Sequence, residues 1–480
     1  MRTDGNTSGE RMTGRQKWAL VLTSVAALMV ALDALVVSTA LSTIRVDLSA
    51  SVEQLEWTVN AYSLSFAVLL MTGAVLGDRF GRRRVFACGL AVFTVASAAC
   101  ALAPGIGWLI AARAVQGAGA AVVMPLSLTL LTAAFPPDRR GRAMGIFSGI
   151  TGLAVLGGPL VGGAVAQGLA WQWIFWLNVP IGVLAIPFVL RRLAESTGAR
   201  SRPDVGGLIL VMGGAFGLVW GLVRSDSAGW GSAEVVGSLA GGAVLVAAFV
   251  GWESRVQAPM LPLRLFRSRA FSAANAVGFF LTASLFGAVF FMAQFLQTAQ
   301  GYGPLESGLR LLPWTATLFI VAPVAGTLVN RFGERPFTVG GLLLQAVGMA
   351  WIGLIATPHL AFAATVAPLV VAGCGVSMVF PAAQNAVVGA VAPTEIGKAS
   401  GSYNMMRQLG GVFGVAILVA IFAGSGGYAS AQAFSDGFTA AIGVSAGLAF
   451  LGALAGLGMP AKRVSTTVEP SEPAAPALVE

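Results

Sequence analysis

Asp33 is the residue whose type and position most demand a chemical role. It stands in Leu32-Asp33-Ala34-Leu35-Val36-Val37-Ser38-Thr39-Ala40-Leu41, within an apolar run from Trp18 to Leu41 that holds no other charge. At about 1.5 Å per residue that run spans a bilayer. A carboxylate inside it costs about 2.5–3.5 kcal/mol on insertion scales, and an isolated intramembrane acid reads as a proton or cation site. The competing reading is a side chain that only hydrogen-bonds a neighbouring helix. No other carboxylate falls clearly inside an apolar run.

Arg113 and Gln116 form a second polar pair, in Arg113-Ala114-Val115-Gln116-Gly117. Arg113 lies roughly 7 Å and Asp33 roughly 12 Å inside the same end of their respective runs, counted at the helical rise. Those depths permit contact, directly or through a polar neighbour. A nearby cation favours the charged carboxylate and desolvation favours the neutral acid, so a change in their separation could switch protonation. Alternatively, Arg113 snorkels to the surface. Arg310 sits near the outer end of its run and reads as snorkelling, and Arg407 stays open.

Asp78, Arg79, Gly81 and Arg82 crowd a short loop, Asp78-Arg79-Phe80-Gly81-Arg82-Arg83-Arg84. A basic turn would need no more than arginines. An acid at a helix end beside them, with a glycine for the tight turn, suggests a latch between two helices that releases during gating. A further run carries Gly149, Gly152, Gly157, Gly158, Pro159, Gly162 and Gly163. Close helix packing explains the glycines, whereas Pro159 adds a bend and frees a carbonyl. There is no phosphate-binding Gly-x-x-x-x-Gly-Lys-Ser/Thr, because Gly397-Lys398 is followed by Ala399. His359 is the sole histidine, and no nucleophile–base or metal-ligand cluster stands out, so an enzyme is not expected.

The elements that hold these residues follow from composition. The chain has 480 residues, 56% hydrophobic and only 10% charged, where soluble domains carry about 25% charge. It reads as an all-α integral membrane protein. Cys88, Cys100 and Cys374 lie in apolar runs and suggest no disulfide framework. The net charge of +9 sits in short loops and does not indicate nucleic acid.

Six spanning runs lie at 18–41, 57–77, 84–104, 108–134, 143–166 and 173–190. Two follow at 205–223 and 235–252. Six more lie at 271–297, 307–329, 336–356, 360–388, 400–424 and 438–459. Arginines and lysines concentrate in alternate loops, with only Arg45 and Arg224 on the other side, so both termini are expected in the cytoplasm. The basic start is too long in its apolar part for a cleaved signal peptide. Residues 1–17 then form a cytoplasmic tail, and 460–480 a disordered one. The segment 253–270 is expected along the cytoplasmic membrane interface.

The chain also repeats. Gly117, Gly119, Pro125, Gly141, Ala143 and Gly145 return as Gly373, Gly375, Pro381, Gly397, Ala399 and Gly401, each offset by 256 residues. Asp78-Arg79-Phe80-Gly81 returns as Asn330-Arg331-Phe332-Gly333, offset by 252. This maps spans 1–6 onto spans 9–14. The expected architecture is two pseudo-symmetric six-helix bundles, 18–190 and 271–459, with two inserted helices in 205–252. Parallel halves of this kind bind substrate between them near the midplane and alternate access by rocking.

Together these motifs resemble the major facilitator superfamily, and within it the fourteen-span drug:proton antiporters, over nearly the whole chain. Asp33 with the residues after it looks like that family's first-span acidic motif. Asp78 to Arg84 is similar to the superfamily's loop motif, and Arg113-x-x-Gln116-Gly117 to the fourth-span motif associated with proton coupling. Gly149 with Gly158-Pro159-Leu160-Val161-Gly162-Gly163 resembles the fifth-span motif of antiporters. Trp171 to Gly182, with Asn178 and Pro180, is similar to the family's sixth-span start. Ala74, Gln172 and Asn330 depart from the usual residues.

The resemblance implies a proton-coupled secondary antiporter that exports amphipathic drugs or antibiotics across a bacterial cytoplasmic membrane. Its partners would be protons, a small amphipathic molecule and lipid, with no cofactor and a monomeric chain. Asn60, Tyr62, Gln116, Gln384 and Asn385 are candidate polar contacts in the substrate cavity. The alternatives are a dedicated exporter of one metabolite or siderophore, an importer, and a sensor that binds without transporting.

Overall fold

The computed structural model describes residues 12–198, 203–257, 259–392 and 395–461. Arg2, Arg11, Arg200, Arg202, Lys462 and Arg463, basic residues of the side expected to be cytoplasmic, lie outside them, as does most of the C-terminal tail. So does the side chain of Asn330.

Among the described residues, fourteen helices are long and apolar enough to cross a membrane. The first half comprises α1 (Gly14–Asp47), α2 (Val52–Phe80), α3 (Arg82–Ala101), α4 (Ile106–Ala134), α5 (Arg139–Gly168) and α6 (Trp173–Arg192). The inserted pair is α7 (Val205–Ala228) and α8 (Ala233–Glu253). The second half comprises α9 (Arg269–Ala299), α10 (Pro304–Val329), α11 (Glu334–Ile355), α12 (Phe362–Gly389), α13 (Ile396–Ser425) and α14 (Ala431–Gly456). Helices satisfy their own backbone groups, which is what a lipid surround requires.

Local signals set the ends. Thr13 and Gln16 form a capping box at the start of α1, and Ser51 and Gln54 form one at the start of α2. Gly81 takes φ +104° between α2 and α3, and its repeat partner Gly333 takes φ +86° between α10 and α11. Only glycine adopts such angles without strain, so the same tight turn recurs in both halves. Arg79 lies 5.2 Å from the centre of the Phe80 ring, and Arg331 lies 5.4 Å from that of Phe332.

Packing follows the repeat. α2 packs on α4, α1 on α5, α3 on α4 and α3 on α6. In the second half α10 packs on α12, α9 on α13, α11 on α12 and α11 on α14. The halves meet along two seams, α2 with α13 and α5 with α10. The inserted α7 lies on both α2 and α13 and covers the first seam. There the Trp57, Phe216 and Trp220 rings sit 5.5–5.8 Å apart, which fixes α7 through aromatic contact.

The second seam is uneven. At the end away from the arginine-rich loops, backbone meets backbone. A Cβ built on Gly163 would lie 2.5 Å from the Pro304 carbonyl oxygen, and one on Gly308 would lie 2.3 Å from that of Pro159. The Leu305 amide of α10 donates to Gln167 Oε1 of α5 at 3.1 Å, and beside this seam Gln297 Nε2 of α9 donates to the Thr39 carbonyl of α1 at 3.0 Å. Toward the basic end, Gly141, Gly145, Gly149 and Gly152 have open space where a side chain would go. The cleft beside α5 therefore opens toward the basic end and is shut at the other.

The first apolar run ends at Leu41, whereas α1 continues to Asp47 because its polar last turns are bound by protein. Arg45 lies over the Tyr428 ring at 3.8 Å, and Asp47 accepts from Trp171 Nε1 at 2.6 Å. In the linker, Met260 and Leu261 are buried against the first half and Leu265 against the second. These side chains pack on protein and tie the two halves together.

Candidate functional site

Asp33 is 3% exposed and Arg113 is 1% exposed, and they form a direct ion pair with Nη1–Oδ2 at 2.5 Å. Arg113 therefore does not snorkel. A buried charge pair needs further hydrogen bonds to its remaining groups, and the second carboxylate oxygen of Asp33 has two. Gln116 Nε2 and Asn178 Nδ2 each donate to Asp33 Oδ1 at 2.9 Å. Arg113 Nη1 also donates to Gln116 Oε1 at 2.8 Å, a reach set by their i,i+3 spacing on α4.

A second shell fixes these donors. Ser97 Oγ on α3 accepts from Gln116 at 3.2 Å and Asn178 at 3.1 Å, and itself donates to the Phe175 carbonyl at 2.9 Å. Arg113 Nε donates to the Thr58 carbonyl of α2 at 3.1 Å. The Tyr62 ring lies 4.1 Å beneath the guanidinium, and its hydroxyl donates to the Val30 carbonyl at 3.3 Å. Helices α1, α2, α3, α4 and α6 thus converge on one carboxylate. Arginine keeps its proton in proteins, so Asp33 is the member of the pair that can change charge.

The glycine motif of α5 connects this site to the seam. A Cβ on Gly158 would meet Leu35 Cβ at 2.6 Å, and one on Gly162 would meet the Val36 carbonyl oxygen at 2.6 Å. Both glycines let α5 press on the stretch of α1 that follows Asp33. Gly163 and the Pro159 carbonyl press on α10 from the same helix. Among the described residues, nothing outside its own helix lies within 4 Å of where a Cβ on Gly149 would be.

The loop motif also takes shape. Asp78 bonds Arg82 Nε at 2.7 Å, and the Asp78 carbonyl accepts from the Gly198 amide at 3.0 Å. Glu195, not singled out from sequence, accepts from the Arg83 amide at 2.9 Å. It lies 3.6 Å and 3.7 Å from the Arg83 and Arg84 side chains. These contacts hold α2 and α3 to the segment after α6.

Asn60, Tyr62 and Gln116, expected as cavity contacts, are buried in the first bundle, where Asn60 Nδ2 bonds Glu56, the Tyr62 hydroxyl bonds the Val30 carbonyl and Gln116 Nε2 bonds Asp33. Gln384 and Asn385 are half-buried on α12. Arg310 is not a free surface charge, since it pairs with Glu306 at 2.5 Å and lies 3.6 Å over the Tyr302 ring. Glu56, just before the second apolar run, is wholly buried as well. Glu56 immediately precedes the apolar run that begins at residue 57, so hydropathy alone placed it outside.

The chain matches the model of the Major Facilitator Superfamily over residues 23–415. It is 35% identical over 421 residues to the tetracenomycin C resistance and export protein of Streptomyces glaucescens, covering 87% of this chain and 78% of that one. It is 37% identical over 398 residues to the methylenomycin A resistance protein of Streptomyces coelicolor, covering 81% and 82%. A solved POT family transporter in complex with a thioalcohol-conjugated peptide superimposes with a TM-score of 0.69 at 14% identity, over 91% of this chain and 94% of that one. With the repeated bundles, the acid of α1 and the α5 motif, this makes the chain a multi-pass membrane protein of the Major Facilitator Superfamily.

Proposed function

We propose that this protein is a proton-coupled antiporter that exports amphipathic drugs or antibiotics from the cytoplasm. It would sit in a bacterial cytoplasmic membrane with its basic loops and both termini inside, acting as a monomer. The observation that carries the reading is the Asp33–Arg113 ion pair, sealed from solvent within five helices. Relatives named for resistance and export support the drug as cargo.

In the state with the cleft open to the basic end, Asp33 is charged and held by Arg113, Gln116 and Asn178. Drug enters the cleft from that side. When the halves rock, a proton arriving from outside neutralises Asp33, weakens its hold on Arg113 and frees α1 to shift. α5 touches both α1 and α10, so it carries that shift to the seam. On return, the proton leaves toward the cytoplasm and the ion pair reforms. Each pH unit contributes about 1.4 kcal/mol per proton, and the membrane potential adds about 2.3 kcal/mol per 100 mV when net charge moves.

Inverted vesicles test this directly. Cells expressing wild type should yield vesicles that lose an imposed pH gradient when a substrate is added, and Asp33→Asn should abolish the response. The panel spans monocationic dyes and neutral antibiotics. Equal responses from both proteins would remove Asp33 from coupling. A response to one compound alone would favour the dedicated exporter, a reading supported by relatives named for single antibiotics.

A further inference from the structure

The first half contains an acid that the Asp33 network does not use. Glu56 is 0% exposed, and so is Asn60 one helical turn further along α2. Asn60 Nδ2 donates to Glu56 Oε1 at 3.0 Å. Two acceptors remain without a partner, Glu56 Oε2 and Asn60 Oδ1. An ionised carboxylate and an amide oxygen only accept, so together they lack one hydrogen. Reversing the Asn60 amide does not supply it, because that sets its oxygen against Oε1. A single proton on Oε2, donated to Asn60 Oδ1, would satisfy both orphans and close a two-bond ring between acid and amide.

Among the described residues, no cation is paired with Glu56 to hold it charged. On its own helix, Glu53 is bonded to Arg224 of α7. Arg224 is also taken by Glu234 of α8. From α4, Arg113 is spent on Asp33, Gln116 and the Thr58 carbonyl. On α3, Arg82, Arg83 and Arg84 stand at the basic end with Asp78 and Glu195. On α13, Arg407 lies over Phe380 and Tyr403. On α1, Asp33 is paired, Arg45 covers Tyr428 and Asp47 holds Trp171.

We propose that Glu56 is a second proton-binding site, kept as a neutral acid by Asn60 and discharged and recharged during transport. Thr58, whose carbonyl holds Arg113, is two residues further toward the basic end. A proton entering from the opposite end therefore reaches the level of Glu56 before that of Asp33. The assignment rests on the proton-antiport reading and adds a second proton to its stoichiometry.

The test combines infrared difference spectroscopy on the full chain in nanodiscs with proton and drug fluxes in proteoliposomes. Wild type should show a protonated-carboxyl carbonyl band that survives Asp33→Asn, disappears in Glu56→Gln and shifts in frequency in Asn60→Leu. It should change between pH and substrate conditions. Glu56→Gln should halve the protons moved per drug. A band that is missing, that Asn60→Leu leaves unmoved, or a flux ratio unchanged by Glu56→Gln would overturn the assignment. Should Glu56→Gln fail to fold, the wild-type band and its Asn60→Leu shift decide alone. If wild type moves drug without protons, the antiport reading itself fails.

Discussion

The carbonyl of Pro159 lies where a side chain on Gly308 would have to be, 2.3 Å from the Cβ that residue lacks. Neither partner can yield, since both are backbone. Overpacking a tight contact costs about 1–3 kcal/mol, enough to shift a two-state equilibrium by roughly 5- to 150-fold. Gly308→Val should therefore hold this end open. Spin labels placed across the α5–α10 seam should report a longer distance, and drug export should fall by at least tenfold. An unchanged distance distribution would mean that this contact does not govern closure.

The ion pair itself makes a different prediction. Removing one member of a buried pair leaves an uncompensated charge and costs about 3–5 kcal/mol. Asp33→Asn and Arg113→Gln should each lower the thermal midpoint of the purified protein. The double variant should recover much of that loss, because no lone charge remains. None of the three should couple proton flow to export. Additive losses in the double variant would show that the two residues do not interact energetically.

The fold was legible because its signals are long. Fourteen apolar runs and a repeat at fixed offset need no fine detail, and the Gly81 and Gly333 turns confirm the register of the two halves. Asp33, Arg113 and Gln116 stood out as polar residues in apolar runs at similar depth. Their direct contact, and the way Ser97 and Asn178 complete the cage, depend on how helices rotate about their axes. Hydropathy is blind to that rotation. Apolar runs also stop short of helix ends, so Glu56 and Arg45 fall just outside them. Asn60 and Tyr62 looked like cavity residues because their polarity was visible and their partners were not.

Closure at the shut end should not depend on pH across the range where coupling does. Tyr428, in the loop before α14, donates to Gln294, and burial pushes its hydroxyl above the usual tyrosine value. A raised value keeps the neutral, donating form intact below the ordinary tyrosine range near 10 and loses it only as pH climbs beyond that. Arg45 is always charged, so its contact with the Tyr428 ring is equally constant. Arg45→Gln should weaken closure by about 0.5–2 kcal/mol at any pH from 6 to 9. Accessibility of a cysteine placed at Gln297 should rise by the same factor across that range. A factor that varied with pH would implicate a titrating group at the seam.

The latch should govern stability without carrying coupling. Gly81 combines φ +104° with a missing Cβ that would fall 2.9 Å from the Glu195 carboxyl carbon. Gly81→Ala therefore strains the backbone and expels Glu195 from the Arg83 amide, where placing a residue in an unfavourable backbone region costs about 1–3 kcal/mol. Glu195→Gln keeps the shape but removes the charge that faces Arg83 and Arg84. Gly81→Ala should lower the thermal midpoint by several degrees, and Glu195→Gln by less. Both should retain the wild-type ratio of protons to drug in vesicles, because the Asp33 cage lies in a separate set of contacts. A changed ratio in Glu195→Gln would show that the loop between α2 and α3 takes part in coupling as well as in holding the bundle.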